Sequence, residues 1–500
     1  MATNDPLEEL LDDRLERTGH SLGRAMGSGV RWMAPTQVLI QVVRVGSVFA
    51  LTYLLLPEQI GLVGLVTVIT GLFERVLGDT GTTTALVRHK GLTQGLASSV
   101  LFWNMSIGAA ITAVLAIFAA PIAAFLGNSD ATDIVRAMSL LAVINGMSYV
   151  PKALFRRHLQ FKQLAAANLS NALVTGGGTI AFALAGFDEW SIVIGNVAGS
   201  AVGTIVSWAL TPWRPSAHYS RARLREISGF STHLTLQNVF GYVSFAGDRF
   251  IVGRFLGTEA LGYYGLANRL MRYPIQTTAQ TYRDVVFPNL AKIQDDFAAM
   301  TRAYRRSVGG IALLIFPLCA TVAAVADPLV RVALNDNWLP AKDILGLVAI
   351  TSGLQAVAST TGSLYNARGR SDLALRWQIA SSIFLVACYS IGAQWDLVGV
   401  AWGYLIGIAA LTPLAFAIPL RLIGARVRDV TGGLVVVGGA AALAGVSGHL
   451  VARWIDSTDA GDLAELVAGT AVSLMIYVGV VAAIRPPAVA DLRRVLRRGQ

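Results

Sequence analysis

Hydrophobic residues run along this chain in stretches of about twenty, apolar on every side and separated by short polar gaps. A helix of about 20 apolar residues spans a bilayer core, whereas a membrane β-barrel strand alternates apolar and polar positions. Segments such as LVVVGGAAALAGVSGHL show no such alternation. The pattern predicts about fourteen transmembrane helices, over 33–56, 59–80, 96–126, 132–151, 164–186, 190–212, 230–256, 260–289, 307–327, 342–366, 373–394, 397–420, 430–452 and 464–484. The fold class is an all-α polytopic membrane protein.

The gaps alternate in charge. Gaps assigned to the cytoplasm hold Arg14, Arg88, Arg156, Arg157, Arg221, Arg305, Arg368, Arg426, Arg493 and their basic neighbours, about 29 in all. The opposite gaps hold three, Arg331, Lys342 and Arg453, and are acidic, as in GNSDATD, GFDEW and DSTDAGD. Arg and Lys are retained on the cytoplasmic side, so the split predicts a multi-pass protein of the cytoplasmic (inner) membrane with both termini inside. The outward gaps are short, and none is large enough to fold alone.

A repeat is present. PEQIGLVGL at the second predicted helix and TEALGYYGL at the eighth share E-x-[IL]-G-x-x-G-L, pairing Glu58 with Glu259. AAPIAAFLG near Pro121 echoes ADPLVRVAL near Pro328. Six spans per copy is an even number, so both copies enter the membrane the same way, which predicts a parallel pseudo-twofold repeat with a cavity where the lobes meet. The expected organisation is a cytosolic N-terminal segment at 1–30, an N-lobe at 31–212, a cytosolic linker at 213–229, a C-lobe at 230–422, two appended helices at 423–485 and a basic tail at 486–500. The linker reads as a basic amphipathic segment on the membrane surface.

Composition agrees and removes several function classes. The chain is 54% hydrophobic and 14% charged, too apolar for a soluble protein of 500 residues. Its net charge of +10 is divided among short loops, which argues against nucleic-acid binding. Cys319 and Cys388 lie in apolar helices and read as small buried hydrophobes. The six histidines show no metal-ligand spacing, and no phosphate-binding Gly-rich loop occurs, so no metal or cofactor is expected.

Charges at bilayer depth carry the functional argument, because each costs at least ~2.5–3.5 kcal/mol unless it faces a partner or a wet cavity. In the eighth helix Arg269, Arg272, Gln276, Gln280 and Arg283 fall on one stripe, interrupted by Pro274. The seventh contributes Asn238, Tyr242 and Arg249, and the first Gln37, Gln41 and Arg44. These predict a cationic cavity; interhelical hydrogen bonds and salt bridges through Asp284 and Asp248 are the alternative. Glu74, Arg75 and Asp79 in the second helix, with Asp248, read as structural or coupling ion pairs, Arg75 and Asp79 being spaced i,i+4. Tyr242, Tyr263 and Tyr273 are candidates for stacking on sugars, with ordinary packing as the plainer role. The intrusions lie mainly in helices one, two, seven and eight, the leading pair of each copy. A cationic cavity at membrane depth suits a phosphorylated or acidic-sugar substrate.

FPNLAKIQDD, GDRFIVGRFLG, ALGYYGLANRLMRYPIQ and PEQIGLVGLVTVITGLFERVLGDTGTTTALVRHKG resemble the Wzx-type polysaccharide flippases. The branch resembled is that of the lipopolysaccharide, colanic and teichuronic acid exporters, within the multidrug/oligosaccharidyl-lipid/polysaccharide exporter superfamily. The likeness covers about 30–425. It implies a fourteen-helix, two-lobe transporter that carries a polyprenyl-pyrophosphate-linked oligosaccharide between leaflets by alternating access. It further implies basic residues at Arg249, Arg269 and Arg272. Glycan polymerases or glycosyltransferases are possible partners, and a monomer with two lobes suffices. A multidrug exporter of the same superfamily is the first alternative; a membrane glycan polymerase fits less well, because the outward loops are short.

Overall fold

A computed structural model describes residues 21–78, 86–87, 92–216, 219–220, 240–243, 246–271, 296–368, 370–458 and 460–484. Among these the regular structure is helical: α1 Ser21–Leu54, α2 Pro57–Gly78, α3 Gln94–Ile117, α4 Ala119–Leu126, α5 Ala131–Arg157, α6 Phe161–Leu184 and α7 Asp188–Leu210. Next come α8 (246–251), running into a π-helical turn at Val252–Leu256, and α9 (258–271). Then follow α10 Phe297–Ala324, α11 Ala326–Ala333, α12 Lys342–Ala358, α13 Gly362–Ala367, α14 Ser371–Gly392, α15 Leu397–Arg421, α16 Val427–Asp456 and α17 Asp462–Ile484. Ten segments of the described residues are long and apolar enough to cross a membrane. The helices α2 and α6, of 22 and 24 residues, have the length as well. The chain is a polytopic helical membrane protein.

Contacts divide it into two units, the first comprising 1–246 with 257–259, the second 247–256 with 260–500. In the first, α6 packs on α7 and α1, and α5 on α2, α3 and α7. In the second, α10 packs on α12, α16 and α17, and α15 on α12 and α14. The appended helices α16 and α17 therefore belong to the second unit.

Two of the predicted spans are cut short before a proline, while 230–239 and 244–245 of the seventh and 272–289 of the eighth lie outside the described residues. The stretch 96–126 is a long helix, α3, and a separate eight-residue helix, α4. The stretch around 307–327 starts earlier, at Phe297, and is likewise followed by the eight-residue α11. Pro121 and Pro328 are each the third residue of the short helix. A proline lacks the N–H that would bond four residues back, and its ring clashes there, so the long helix ends just before. The proline then sits in a first turn, where N–H groups have no helical partner anyway. The repeated Glu58 and Glu259 likewise each fall one residue inside a helix start, in α2 and α9.

Lipid tails are as apolar as leucine, so helix pairing within a membrane depends on small residues that let backbones approach. In α7, Ser191, Gly195 and Gly199 follow Asp188 at three-, four- and four-residue steps; in α15, Gly399, Gly403 and Gly407 follow Asp396 identically, 208 residues on. A Cβ on Gly199 would lie 2.9 Å from the Asn171 carbonyl oxygen of α6. On Gly403 it would lie 3.1 Å from the Cys388 carbonyl carbon of α14. Large apolar side chains such as Ile117, Val435, Met475 and Val478 remain exposed, as lipid contact requires.

Candidate functional site

The predicted site residues fall in different surroundings. On α1, Arg44 is exposed and forms no ion pair with a described residue. One turn earlier, the buried Oε1 of Gln41 has no hydrogen-bond partner among the described residues. A buried amide oxygen without a donor is costly in a dry core, so α1 presents polar groups along one stripe. Within the first unit, the Tyr242 hydroxyl donates to the Thr67 carbonyl of α2 at 3.1 Å. Gly71 leaves room for that ring, since a Cβ there would collide with the Tyr242 hydroxyl. Glu74, half-buried on α2, accepts from the Asn145 amide of α5 at 3.2 Å.

In the second unit, α8 and α9 are joined through Asp248. This carboxylate is 4% exposed and accepts from the Tyr264 hydroxyl at 3.0 Å and from the Arg249 backbone N–H at 2.8 Å. Tyr404 of α15 is near, its ring edge-on to Tyr389 of α14 at 5.0 Å. Among the described residues Asp248 is thus held by a hydroxyl and a backbone donor, without an ion pair within 4 Å. Arg249 and Arg269 are half-buried on α8 and α9. Arg254, in the π-helical turn, lies 5.8 Å from the exposed Phe255 ring, a placement suited to anchoring at an interface. Tyr263 packs edge-on against the buried Trp338 at 6.1 Å. Asp79, Asn238, Arg272, Gln276, Gln280 and Arg283 lie outside the described residues, as does the side chain of Arg75.

Two arrangements escaped the sequence reading. Arg331, on α11, reaches four carboxylates: Asp462 and Glu465 at 2.8 Å, Asp327 at 3.2 Å and Asp456 at 3.5 Å. Lys342 also meets Asp327, at 3.4 Å. Burial alone would lower the Arg331 pKa, but Asp327, Glu465, Asp462 and Asp456 outweigh it and hold it above the ordinary range. One of the three basic residues on the acidic side is therefore the hub that ties α11 to α17. The signal available was an arginine standing out of pattern amid acids. The second arrangement is an apolar cavity of about 540 Å³ within this unit, between α10, α12 and α16. Its walls include Phe316, Cys319, Gly353, Gly438, Gly445 and His449. No cluster of three or more potential metal ligands occurs among the described residues.

The chain resembles the succinoglycan biosynthesis transport protein ExoT of Rhizobium meliloti, with 25% identity over 69% of this chain and 69% of ExoT. It is 23% identical to the lipopolysaccharide biosynthesis protein WzxC of Escherichia coli, over 80% of this chain and 82% of WzxC. The teichuronic acid biosynthesis protein TuaB of Bacillus subtilis is 26% identical, over 67% and 70%. Among solved structures, the lipid II flippase MurJ, in an inward closed conformation, superimposes with a TM-score of 0.71 at 14% identity, over 89% of this chain and 99% of MurJ. An inward-facing multidrug resistance MATE transporter gives 0.65 at 16% identity, over 77% and 94%. Those likenesses establish the fold. A family profile matches residues 50–343, more than half of the chain. The chain belongs to the family described as Polysaccharide biosynthesis protein.

Proposed function

We propose that this protein is a flippase for a lipid-linked precursor of a surface polysaccharide. It moves a polyprenyl-pyrophosphate-linked oligosaccharide across the cytoplasmic membrane by alternating access through a cationic central cavity. The observation that carries this reading is the family match over 50–343, in a chain with the transporter fold. The named transport relative, ExoT, serves succinoglycan biosynthesis, and the cargo of this chain is taken to be of the same kind.

Arg44, Arg249, Arg269 and Arg272 would hold the anionic headgroup by charge-assisted hydrogen bonds, while the prenyl tail stays in lipid. Arginine suits this role because it stays charged and presents a planar donor fork to phosphate oxygens. Binding must be moderate, because a site that held one state tightly would not release it. Both termini are cytoplasmic, and the chain works as a transporter rather than an enzyme. A monomer suffices.

The test is to deplete the protein and identify polyprenyl-linked glycans by mass spectrometry. Accumulation of one complete oligosaccharide-lipid, with loss of its surface polymer, is expected. A truncated intermediate would instead indicate an enzyme. Unchanged lipid-linked glycans together with new drug sensitivity would indicate a multidrug exporter, whose cationic substrates a basic cavity repels.

A further inference from the structure

The apolar cavity of the second unit is a groove open to its surface rather than a sealed void. The helices α12 and α16 flank α10, which supplies the floor through Phe316, Cys319 and Ala320. Its rims reach outward: Ile350 of α12 is exposed, and Val446 and Leu450 of α16 are 59% and 61% exposed. Small residues open it. An added Cβ on Gly445 would lie 3.1 Å from the Ala320 carbonyl oxygen, and on Gly438 3.5 Å from the Phe316 ring. Among its described lining residues only Cys319 and His449 carry a polar side-chain atom. Water gains nothing in such a groove, and on a membrane-spanning surface hydrocarbon is what lies against it.

The length of the groove and the charges at its end point to one kind of occupant. On α16, Gly438, Ala442, Gly445 and His449 follow at four-, three- and four-residue steps, which puts them on one stripe. At about 1.5 Å per residue, Gly438 to His449 spans about 16 Å, the depth of one leaflet of a ~30 Å hydrocarbon core. The stripe continues through Arg453 to Asp456, toward the end that the arginine distribution assigns to the outside. Arg453 is exposed and forms no ion pair with a described residue. Trp454 beside it is 68% exposed, the placement of a tryptophan at a membrane–water interface. Just beyond, the exposed Asp456 and Asp462 share Arg331 with Asp327 and Glu465. Even with Lys342 and Arg453 counted, carboxylates outnumber cations at this end.

We propose that this groove holds one acyl chain of an outer-leaflet aminophospholipid of the phosphatidylethanolamine type. The chain fills the groove from Gly438 to His449, the phosphate meets Arg453, and the ammonium meets Asp456. The order along the helix is the order along the lipid. Arg453 and Asp456 are one turn apart, a rise of about 5 Å, comparable to the separation of a phosphate and an ammonium joined by two carbons. An anionic lipid would satisfy Arg453 and be repelled by the carboxylates beyond it. A polyprenyl chain would overrun a groove one leaflet deep, so the occupant is distinct from the cargo. The proposal depends on the outward placement of these helix ends and not on the flippase reading.

Full-length protein in mild detergent is titrated with dioleoyl phosphatidylethanolamine, dioleoyl phosphatidylglycerol and undecaprenyl phosphate, with bound lipids counted by native mass spectrometry and Tm followed in parallel. One phosphatidylethanolamine should be retained and should raise Tm. It should be preferred over phosphatidylglycerol about two- to five-fold, the worth of one exposed ion pair. Gly438→Leu, whose side chain fills the groove, should weaken that binding about ten-fold. Gly439→Leu, on the same helix with nothing within 4 Å of an added Cβ, should leave it unchanged. Asp456→Asn should keep the bound lipid and lose the headgroup preference. Should Gly438→Leu fail to fold, Ala442→Leu fills the same groove and should give the same loss. Equal lipid retention by the groove-filling variants and Gly439→Leu would overturn the proposal, as would a preference for phosphatidylglycerol. Displacement of the phospholipid by undecaprenyl phosphate, lost in Gly438→Leu, would overturn it too and assign the groove to the cargo.

Discussion

His449 on α16 bonds through Nδ1 to the carbonyl oxygen of Ala324, at 3.1 Å. That carbonyl is the one Pro328, four residues on, has no N–H to satisfy. A carbonyl only accepts, so Nδ1 carries the proton. An appended helix thus repairs the break between α10 and α11. Replacing His449 with leucine keeps the bulk and strands the carbonyl, at a cost of about 1–3 kcal/mol. Thermal unfolding of the purified protein should show a Tm lower by several degrees, with His449→Gln intermediate. An unchanged Tm in the leucine variant would refute this role.

Arg331 and Glu465 should be coupled. The Glu465 side chain is 5% exposed, so losing its partner leaves a nearly buried carboxylate. Breaking a fully buried pair costs about 3–5 kcal/mol, but Arg331 is 25% exposed and three of its acids are more open, so about 1–2 kcal/mol is expected. Arg331→Ala should lower stability by that amount, and Glu465→Gln should recover part of it in the double variant. Strict additivity of the two single effects would show that the pair does not interact.

These two contacts mark the limit of what the amino-acid sequence shows. Span positions are legible because hydrophobic length is a local property, and the two lobes because Glu58 and Glu259 open matching helices. The split after Ile117 was legible in principle from Pro121, yet the run 96–126 is apolar throughout and reads as one span. His449 and Ala324, or Arg331 and Glu465, are more than a hundred residues apart, and no periodicity announces such a pairing. The proposed cationic site rests on a set of arginines picked out in the sequence, and which groups satisfy them is a tertiary matter. Asp248 illustrates this: in the sequence it reads as a member of an interhelical ion pair, and among the described residues the side chain that bonds it is Tyr264.

The glycine stripes yield a contrast within one helix pair. Gly199 of α7 faces the α6 backbone, with the Asn171 oxygen and Thr175 nitrogen each 2.9 Å from an added Cβ. Gly178 of α6 has its nearest neighbour, the Gly195 Cα, at 3.9 Å. Backbone cannot move aside as a flexible side chain does. Gly199→Ala should therefore destabilise by about 1–3 kcal/mol, the usual cost of overpacking, while Gly178→Ala should be near neutral. Gly403→Ala in α15 should behave like Gly199→Ala. Equal stability of the Gly199 and Gly178 variants, measured by thermal unfolding in one detergent, would refute the packing account.

Arg269 and Arg272 supply the most direct test of transport. Both belong to the stripe that the sequence predicts, and alanine at both positions removes two cations while sparing helical propensity. If they hold the headgroup, the double variant should reach the membrane at normal abundance and fail to restore surface polymer in a deletion strain. Lysine at both positions should restore it partly, since charge returns without the bidentate fork. Full complementation by the double alanine variant would remove these residues from the site. Loss of abundance in the alanine variant, recovered with lysine, would assign them to folding instead.

Tyr264 and Asp248 separate a structural carboxylate from a coupling one. Tyr264→Phe removes a donor from a buried carboxylate and should cost about 1–3 kcal/mol. Asp248→Asn removes the charge; its oxygen can keep the Arg249 N–H while its amide N–H donates to the Tyr264 oxygen, so its Tm should stay close to that of the unaltered protein. A carboxylate that serves only to join α8 to α9 needs its hydrogen bonds and not its charge, and Asp248→Asn should then restore surface polymer in the deletion strain. Tyr264→Phe should lose polymer only as far as it loses folded protein. Loss of polymer in Asp248→Asn at unchanged Tm and abundance would show instead that the negative charge itself takes part in the transport cycle.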